Sequence, residues 1–262
     1  MSNQIRLRMP SPLKSAGFVP AYTPLERLHV PRPVDRILII KEICAGKKIL
    51  DLGAMDETAY TSKQGQGTWL HEEIAAVAAE VVGIDSSSIV QPTGLQTKPN
   101  ATIYPGDIMT LDAWLKSGID TDTAQQRFTP DVVVAGELIE HLHNPLMFLQ
   151  KIKAIKSLNG KTLILTTPNA TAIHNCLIGL ASRESTHQDH LCIFSFKTLC
   201  TLCHRAGFST WQITPYYARF PEMIARQTGL GRSLVAGGER VINGLEWMFP
   251  IMSFGYIVTI KI

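Results

Sequence analysis

One short apolar run constrains the fold of this chain more than any other part of its sequence. Residues 132–135 read Val-Val-Val-Ala, with β-branched side chains and no polar alternation. Such a run is typical of a strand covered on both faces, as in a parallel sheet flanked by helices. The run ends at Gly136, and two acids and an imidazole follow at Glu137, Glu140 and His141. Ligands of open α/β sheets bind at such carboxyl ends of strands, so the sequence predicts a functional site here.

The spacing of these three side chains predicts their direction. If a helical turn follows Gly136, positions i, i+3 and i+4 share one face. Glu137, Glu140 and His141 occupy those positions. We therefore expect the imidazole to point into the same cavity as the first carboxylate.

Three other apolar segments also carry an acidic residue at or near their end. They are residues 48–53 with Asp51, residues 81–85 with Asp85, and residues 103–107 with Asp107. Further strands are expected over residues 161–169, 210–217 and 256–262, with amphipathic helices between them. Several acids at strand ends, in a chain whose strands alternate with helices, indicate an α/β fold with one shared site.

The order of these segments resembles that of the class I S-adenosylmethionine-dependent methyltransferases. The later part is similar to the branch that includes quinone-biosynthesis O-methyltransferases. The motifs that carry the resemblance are Glu137 to His141, Thr167 to Asn169, His190, Phe194-Ser195 and Ala206 to Phe208. It implies a Rossmann-like sheet of seven strands, mostly parallel with an antiparallel last strand, and helices on both faces.

The same resemblance divides the chain. It runs from about residue 34, so residues 34–262 are expected to form the methyltransferase domain, with a helical insertion at about 221–248. Residues 1–33 are rich in proline and are interpreted as an arm or lid.

S-adenosylmethionine is the cofactor that the resemblance implies, and two strand ends offer groups suited to it. Gly53 would let the backbone approach the amino-acid end of the ligand, and the next turn, from Ala54 on, would hold its carboxylate with N–H groups. Asp85, with Ser86 beside it, is suited to accept the ribose hydroxyls. A structural alternative for Asp85 is a capping role.

The remaining strand ends are assigned in the same way. Asp107 and Ile108 are expected to bracket the adenine, the acid taking the amino group and the side chain packing on the ring. Glu137 is expected closest to the sulfonium and the ammonium, where a negative charge is favourable. Asp51 is interpreted as structural, holding N–H groups of the turn.

The glycine motif departs from the family pattern. Members carry Asp-x-Gly-x-Gly-x-Gly, whereas this chain keeps only Gly53 and has Met55 and Glu57 at the other two positions. Either the longer loop after residue 54 builds an altered cofactor pocket, or the pocket has been lost. We favour the first, because Asp85, Asp107 and Glu137 remain in place.

Methyl transfer to a hydroxyl requires a proton acceptor, and imidazole titrates near neutral pH. His141 is the expected base, with His190 behind it. The alternative is a divalent metal such as magnesium, held by Glu137, Glu140, His141 and His190, which resembles the small-RNA 3′-end 2′-O-methyltransferases.

Net charge and the lack of long apolar segments help to choose between the functions that remain open. A net charge of +3 over 262 residues is too mild to demand a nucleic-acid partner. With no signal peptide and no apolar segment of about 20 residues, a cytoplasmic protein without a membrane span is expected.

The preferred function is methylation of a small organic acceptor, with O-methylation favoured. An apolar lid over that acceptor is expected from Tyr22, Trp69, His71, Tyr216, Tyr217 and the insertion. The alternatives are a metal-dependent RNA ribose 2′-O-methyltransferase, a non-catalytic methyltransferase-like binding protein, and a nucleotide-dependent dehydrogenase. The last lacks the Gly-x-Gly-x-x-Gly fingerprint.

Overall fold

The computed structural model describes residues 13–14, 25–56, 60, 69–117, 119–121, 124–126 and 128–262. The strands in these residues are β1 Leu13–Lys14, β2 Lys48–Leu52, β3 Glu80–Asp85, β4 Leu95–Lys98, β5 Ala101–Pro105, β6 Ile119–Thr121, β7 Ala124–Gln126, β8 Val132–Gly136, β9 Thr162–Pro168, β10 Thr210–Tyr216 and β11 Gly255–Lys261. Strands β6 and β7 form a separate antiparallel hairpin. The others form one sheet.

The order of strands in the main sheet is β1-β10-β11-β9-β8-β2-β3-β5-β4. Strands β5, β3, β2, β8 and β9 are parallel to their neighbours in this series. Strand β11 is antiparallel to both β9 and β10. The seven strands from β5 to β10 therefore confirm the predicted Rossmann-like sheet with its antiparallel last strand. The short strands β4 and β1 extend the two edges.

Helices cover both faces of the sheet, as predicted. Within the described residues they are α1 Arg36–Cys44, α2 Leu70–Ala75, α3 Leu111–Ser117, α4 Pro145–Ala154, α5 Ile173–Gly179, α6 Phe196–Arg205, α7 Pro221–Arg226 and α8 Gly229–Met248. One core cluster packs α4 and α6 against the sheet, and another packs α1 and α2 against its other face. Val133 belongs to the first cluster and Val134 to the second, so β8 is buried from both sides.

Local sequence explains where several helices begin. The Asp35 side chain accepts a hydrogen bond from Leu38 N at 3.1 Å and caps α1. Ser195 and Thr198 form a capping box at the start of α6. These caps fix the helices beside the ends of the strands, where the site lies.

The range expected for the helical insertion is occupied by α7 and α8. No helix in the described part of the chain is both long and apolar enough to cross a membrane. Most of the predicted arm, like Tyr22 and Glu57, lies outside the described residues. Of its described parts, Leu13 and Lys14 pair with the edge of β10, and Glu26 forms an ion pair with Lys197 of α6 at 2.5 Å.

Candidate active site

The chain turns sharply where β8 ends. A side chain at Gly136 would lie 2.3 Å from Leu70 Cδ2, so Leu70 would have to move to admit one. Glu137 has a φ of 52°, in the left-handed region that non-glycine residues rarely adopt. Its backbone N–H is held by Thr166, with 3.0 Å to the carbonyl oxygen and 3.1 Å to Oγ1. These contacts stabilise a strained conformation that carries the carboxylate out of the sheet.

The predicted helical turn after Gly136 is therefore wrong. Glu137 is left-handed, and a short 3-10 helix covers only Ile139–His141. The three side chains do not follow the spacing of an α-helical face. A non-glycine residue in the left-handed region has no clear signature in a single sequence.

Two side chains hold the Glu137 carboxylate. Tyr216 Oη donates to Oε1 at 2.8 Å, and Arg36 Nη1 lies 3.1 Å from the same oxygen. Burial, and then the Glu137 charge, raise the pKa of Tyr216 well above its usual value, so the phenol stays protonated and donates. Burial would lower the pKa of Arg36, but the nearby Glu137 carboxylate outweighs it and the pKa is raised. Tyr216 and Arg36 both contact Oε1 of Glu137, and neither of these two contacts is to Oε2.

A cleft of about 880 Å³ opens beside this carboxylate. It is lined by four of the residues predicted to bind the cofactor, namely Asp51, Gly53, Ala54 and Glu137. Four of the side chains expected around the acceptor also line it: Trp69, His71, Tyr216 and Tyr217. Pro221, Ile224 and Ala225 of α7 form a further part of its wall. The cleft thus joins the carboxyl ends of the strands to the insertion.

Gly53 and Asp85 lie where β2 and β3 end, and Asp85 links the turns that follow these two strands. Gly53 has a φ of 68°, and a side chain there would lie 2.8 Å from Leu138 Cδ1. Asp85 accepts backbone hydrogen bonds from Met55 N through Oδ2 and from Ser87 N through Oδ1, both at 2.8 Å. No helix begins directly after Asp85 in the described residues, so its carboxylate closes a turn at Ser87 and does not cap a helix as the alternative expected. The same carboxylate also orders the turn after β2.

Several other predicted residues lie outside the cleft lining. Asp107 Oδ1 accepts from Met109 N at 2.8 Å and caps the 3-10 helix that begins at Ile108. Asp85 and Ser86 follow the neighbouring strand β3. The four predicted cofactor residues Asp85, Ser86, Asp107 and Ile108 therefore cluster at adjacent strand ends without lining the cleft.

Asp51 has a structural partner that the sequence did not reveal. Its Oδ2 lies 2.9 Å from His71 Nδ1, and His71 Nε2 lies 2.9 Å from Thr97 Oγ1. Asp51 and His71 are both buried. The pair joins β2, α2 and β4. Part of the loop whose N–H groups Asp51 was predicted to hold lies outside the described residues. The separation of Asp51 and His71 along the chain gives no local pattern from which the contact could be found.

Three imidazoles gather near His141. His141, His187 and His190 each offer a ligand atom, and these atoms all lie within 4.8 Å of one another. Burial, and then the charge of His141, lower the pKa of His190, so it tends to stay neutral. The sequence identified His141 and His190 but missed His187, which lies in a polar segment without regular spacing. None of the three lines the cleft.

The predicted metal ligands are only partly brought together. Glu137 and Glu140 lie outside the histidine group. Glu140 is fully buried, and neither of its carboxylate oxygens has a hydrogen-bond partner in the described structure. Burial first, and the Glu137 charge second, raise the pKa of Glu140 to about 9. Thr167 lowers that pKa slightly but does not reach hydrogen-bond geometry.

Structural comparison relates the chain to known methyltransferases. It is similar to a Thermotoga maritima methyltransferase described as a possible histamine N-methyltransferase, with 13% identity, a TM-score of 0.51 and 86% of each chain covered. It is also similar to the small RNA methyltransferase HEN1, with 17% identity and a TM-score of 0.51, over 86% of this chain and 24% of that one. An Archaeoglobus fulgidus methyltransferase shares 16% identity over 86% and 94% of the two chains, with a TM-score of 0.46.

Sequence comparison is more specific. A search of curated proteins finds no match to the chain. The profile of a family described as "Methyltransferase domain" matches residues 29–213, which is more than half of the 262 residues. The match begins before α1, ends within β10, and so includes Gly53, Asp85 and Glu137. The chain belongs to this methyltransferase family and is an S-adenosylmethionine-dependent methyltransferase with a Rossmann-like fold.

Proposed function

We propose that this enzyme methylates a hydroxyl group of a small organic acceptor that binds in the cleft. The observation that carries the proposal is the composition of the cleft wall. Strand-end residues suited to the methyl donor and aromatic side chains suited to an organic acceptor line the same space. A volume of about 880 Å³ lies in the range of small-molecule sites. The similarity of the sequence motifs to quinone-biosynthesis O-methyltransferases supports oxygen as the methylated atom.

The residues present fit S-adenosylmethionine. Gly53 and Gly136 expose backbone to the cleft, and Glu137 brings a carboxylate to it. When bound, the cofactor supplies a methyl group made electrophilic by a sulfonium. Glu137 would offset the positive charges of the ligand, and Asp85 would accept its ribose hydroxyls. The protein mainly aligns the two reactants and excludes water.

A binding and transfer experiment tests the proposed function. We expect S-adenosylmethionine and S-adenosylhomocysteine to raise the melting temperature, whereas NAD does not, because a ligand of the native state stabilises it. Labelled methyl transfer is then measured on a panel of phenols, alcohols, amines and short RNA. Transfer to hydroxyl compounds supports the proposal. Transfer only to RNA or amines would refute the acceptor class, and failure of both cofactors to bind would refute catalysis.

Asp85→Ala is expected to weaken cofactor binding by about 1.5–3 kcal/mol, because it removes a charged hydrogen-bond acceptor. Isothermal titration calorimetry measures the change. Part of the effect arises through the turn, since Met55 N also loses its partner. Asp131→Ala serves as a comparison, because Asp131 also accepts from a backbone N–H, that of Lys48, but at the opposite end of β2. Unchanged affinity in folded Asp85→Ala would show that the ribose lies elsewhere.

His141 is proposed to accept the acceptor's proton. It lies beyond the cleft lining, so the hydroxyl would approach from the side of the histidine group. His141→Gln is expected to lower kcat about 100-fold, the size typical of a lost general base, with little change in cofactor affinity. His187→Gln is the matched control, because it changes an exposed member of the same group. Normal turnover by His141→Gln would exclude this role.

A metal-assisted version of the same reaction remains a prediction. The donor set around His141 is three imidazoles, which suits zinc, iron or nickel better than magnesium. The two predicted carboxylate ligands do not join this set, so we derive no catalytic step through a metal. Activity that is lost on chelation and restored by a divalent ion would support a metal. Full activity after exhaustive chelation would exclude it.

A further inference from the structure

Helix α8 presents its two carboxylates to the protein and a row of apolar side chains outward. Glu246 Oε2 accepts a hydrogen bond from Ala218 N at 3.0 Å, and Glu239 Oε2 accepts one from Phe220 N at 2.7 Å. Glu246 is the one residue of the 20 in this helix that is fully buried. An ordinary surface helix turns its charged side chains to solvent, whereas here Glu239 and Glu246 face the protein beside the half-buried Val235 and Ile242.

An apolar stripe runs along the outer face of α8. Leu230, Leu234, Val241 and Met248 are separated by four, seven and seven positions, so they share one side of the helix. Between 52% and 75% of each side chain is exposed. The stripe spans 18 positions, or about 27 Å at 1.5 Å per residue. A row of exposed apolar side chains along one side of a helix indicates an interaction site.

Aromatic side chains stand at the end of the stripe. Trp247 and Phe249 are about half exposed. The Arg32 guanidinium lies 4.2 Å from the centre of the Trp247 ring and donates a hydrogen bond to the Trp247 carbonyl. Aromatic side chains beside a cation are common where a protein meets the polar surface of a bilayer.

Among the side chains that the structure describes in this region, Arg226 and Arg240 are exposed and do not line the cleft, whereas Arg232 lines it on the side of α8 that carries Glu239. Glu239 and Glu246 both bind backbone N–H groups inside the protein. The outer surface of α7 and α8 therefore combines apolar side chains with positive charge. We define the outer surface of α7, α8 and Phe249 as the α8 surface.

We propose that the α8 surface docks on an anionic lipid bilayer, lying in the interface without crossing it. An exposed apolar stripe, flanking arginines and terminal aromatic residues are the features of such interfacial helices. Docking of a second copy of the chain is disfavoured by charge. A two-fold contact would bring equivalent arginines together, and the outward side of this segment offers no carboxylate from the described residues to pair with them.

The same helices wall the catalytic cleft. Ile224 of α7 and Arg232 of α8 line it. Docking would hold the cleft beside the lipid phase, where an apolar acceptor is concentrated. The docking itself does not depend on which atom the enzyme methylates.

Vesicle co-sedimentation of the full chain tests the proposal. We expect vesicles of phosphatidylcholine with 30% phosphatidylglycerol, used here as a chosen probe, to bind the protein at least about tenfold more tightly than pure phosphatidylcholine. Raising the salt concentration should reduce the difference, because the Debye length shortens. Leu234→Gln/Val241→Gln should reduce binding at least about tenfold. Ile89→Gln is the matched control, because this exposed isoleucine lies in the turn after β3.

The variant should fold, because both substituted side chains are exposed, and its melting curve verifies this. Equal binding by wild type and the double variant would overturn the proposal, as would equal binding to anionic and neutral vesicles at low salt. Sedimentation velocity tests whether the α8 surface instead binds a second copy of the chain. A dimer that the double variant abolishes, with no vesicle binding by the wild type, would assign the α8 surface to a second copy and overturn the bilayer proposal.

Discussion

Replacing Glu137 with alanine is expected to lower kcat/KM about 1,000-fold, the largest effect of any substitution in the cleft. A lost charge-assisted contact to the cofactor accounts for about 1.5–3 kcal/mol. Arg36 then loses the partner that lies 3.1 Å away, and its positive charge opposes the sulfonium. Steady-state kinetics measures the fall in kcat/KM, and calorimetry with S-adenosylmethionine measures how much of it is lost cofactor affinity.

Two further variants separate binding from folding. Tyr216→Phe removes the 2.8 Å hydrogen bond to Glu137 but keeps the carboxylate, so its effect on kcat/KM should be much smaller. Arg36→Met in the Glu137→Ala background removes the unpaired cation and should restore stability without restoring activity. If Glu137→Ala binds the cofactor normally, Glu137 is a structural residue, and the methyl donor does not use it.

Glu140→Gln is expected to stabilise the fold by up to about 5 kcal/mol at pH 8. Burial raises the pKa of Glu140 to about 9 in the folded protein, above the ordinary value of 4.5. The folded state thus binds more protons than the unfolded state between these values. The stability contributed by the protonated group is complete below about pH 4.5 and is lost as the pH rises toward 9. Glutamine carries no charge at any pH, so it escapes this loss.

Chemical denaturation from pH 5 to pH 9 measures the effect. The gap between Glu140→Gln and wild type should widen as the pH rises. Glu42→Gln is the control, because Glu42 is an exposed residue of α1 and its removal should leave the pH dependence unchanged. Parallel curves for wild type and Glu140→Gln would show that the buried carboxyl does not titrate in this range.

The fold was largely predictable because its strongest signals are local. The run at residues 132–135 is apolar throughout, and the structure buries it from both faces. The edge strand β4 reads Leu-Gln-Thr-Lys, and its residues are not fully buried. An edge strand faces solvent on one side and needs no apolar run, so its sequence resembles that of a loop.

The site was predictable at its strand ends and less so between them. Gly53, Asp85 and Glu137 were identified because each directly follows or ends an apolar strand. The direction of Glu137 was not, because its backbone conformation depends on Thr166 in the neighbouring strand. Contacts such as Asp51 with His71 depend on how the helix packs against the sheet, which no local pattern records.

The position of β11 sets the order in which the site is completed during folding. This strand lies between β9 and β10, and its pairs with β9 join residues between 87 and 99 positions apart. Closing such long loops is entropically costly, so these contacts form late. Tyr216 at the end of β10 pairs with Gly255 of β11 on one side and is bridged to Val34 on the other. Local opening of β11 would therefore leave Tyr216 held in the sheet by Val34 alone, while the parallel strands β5 to β9 remain paired.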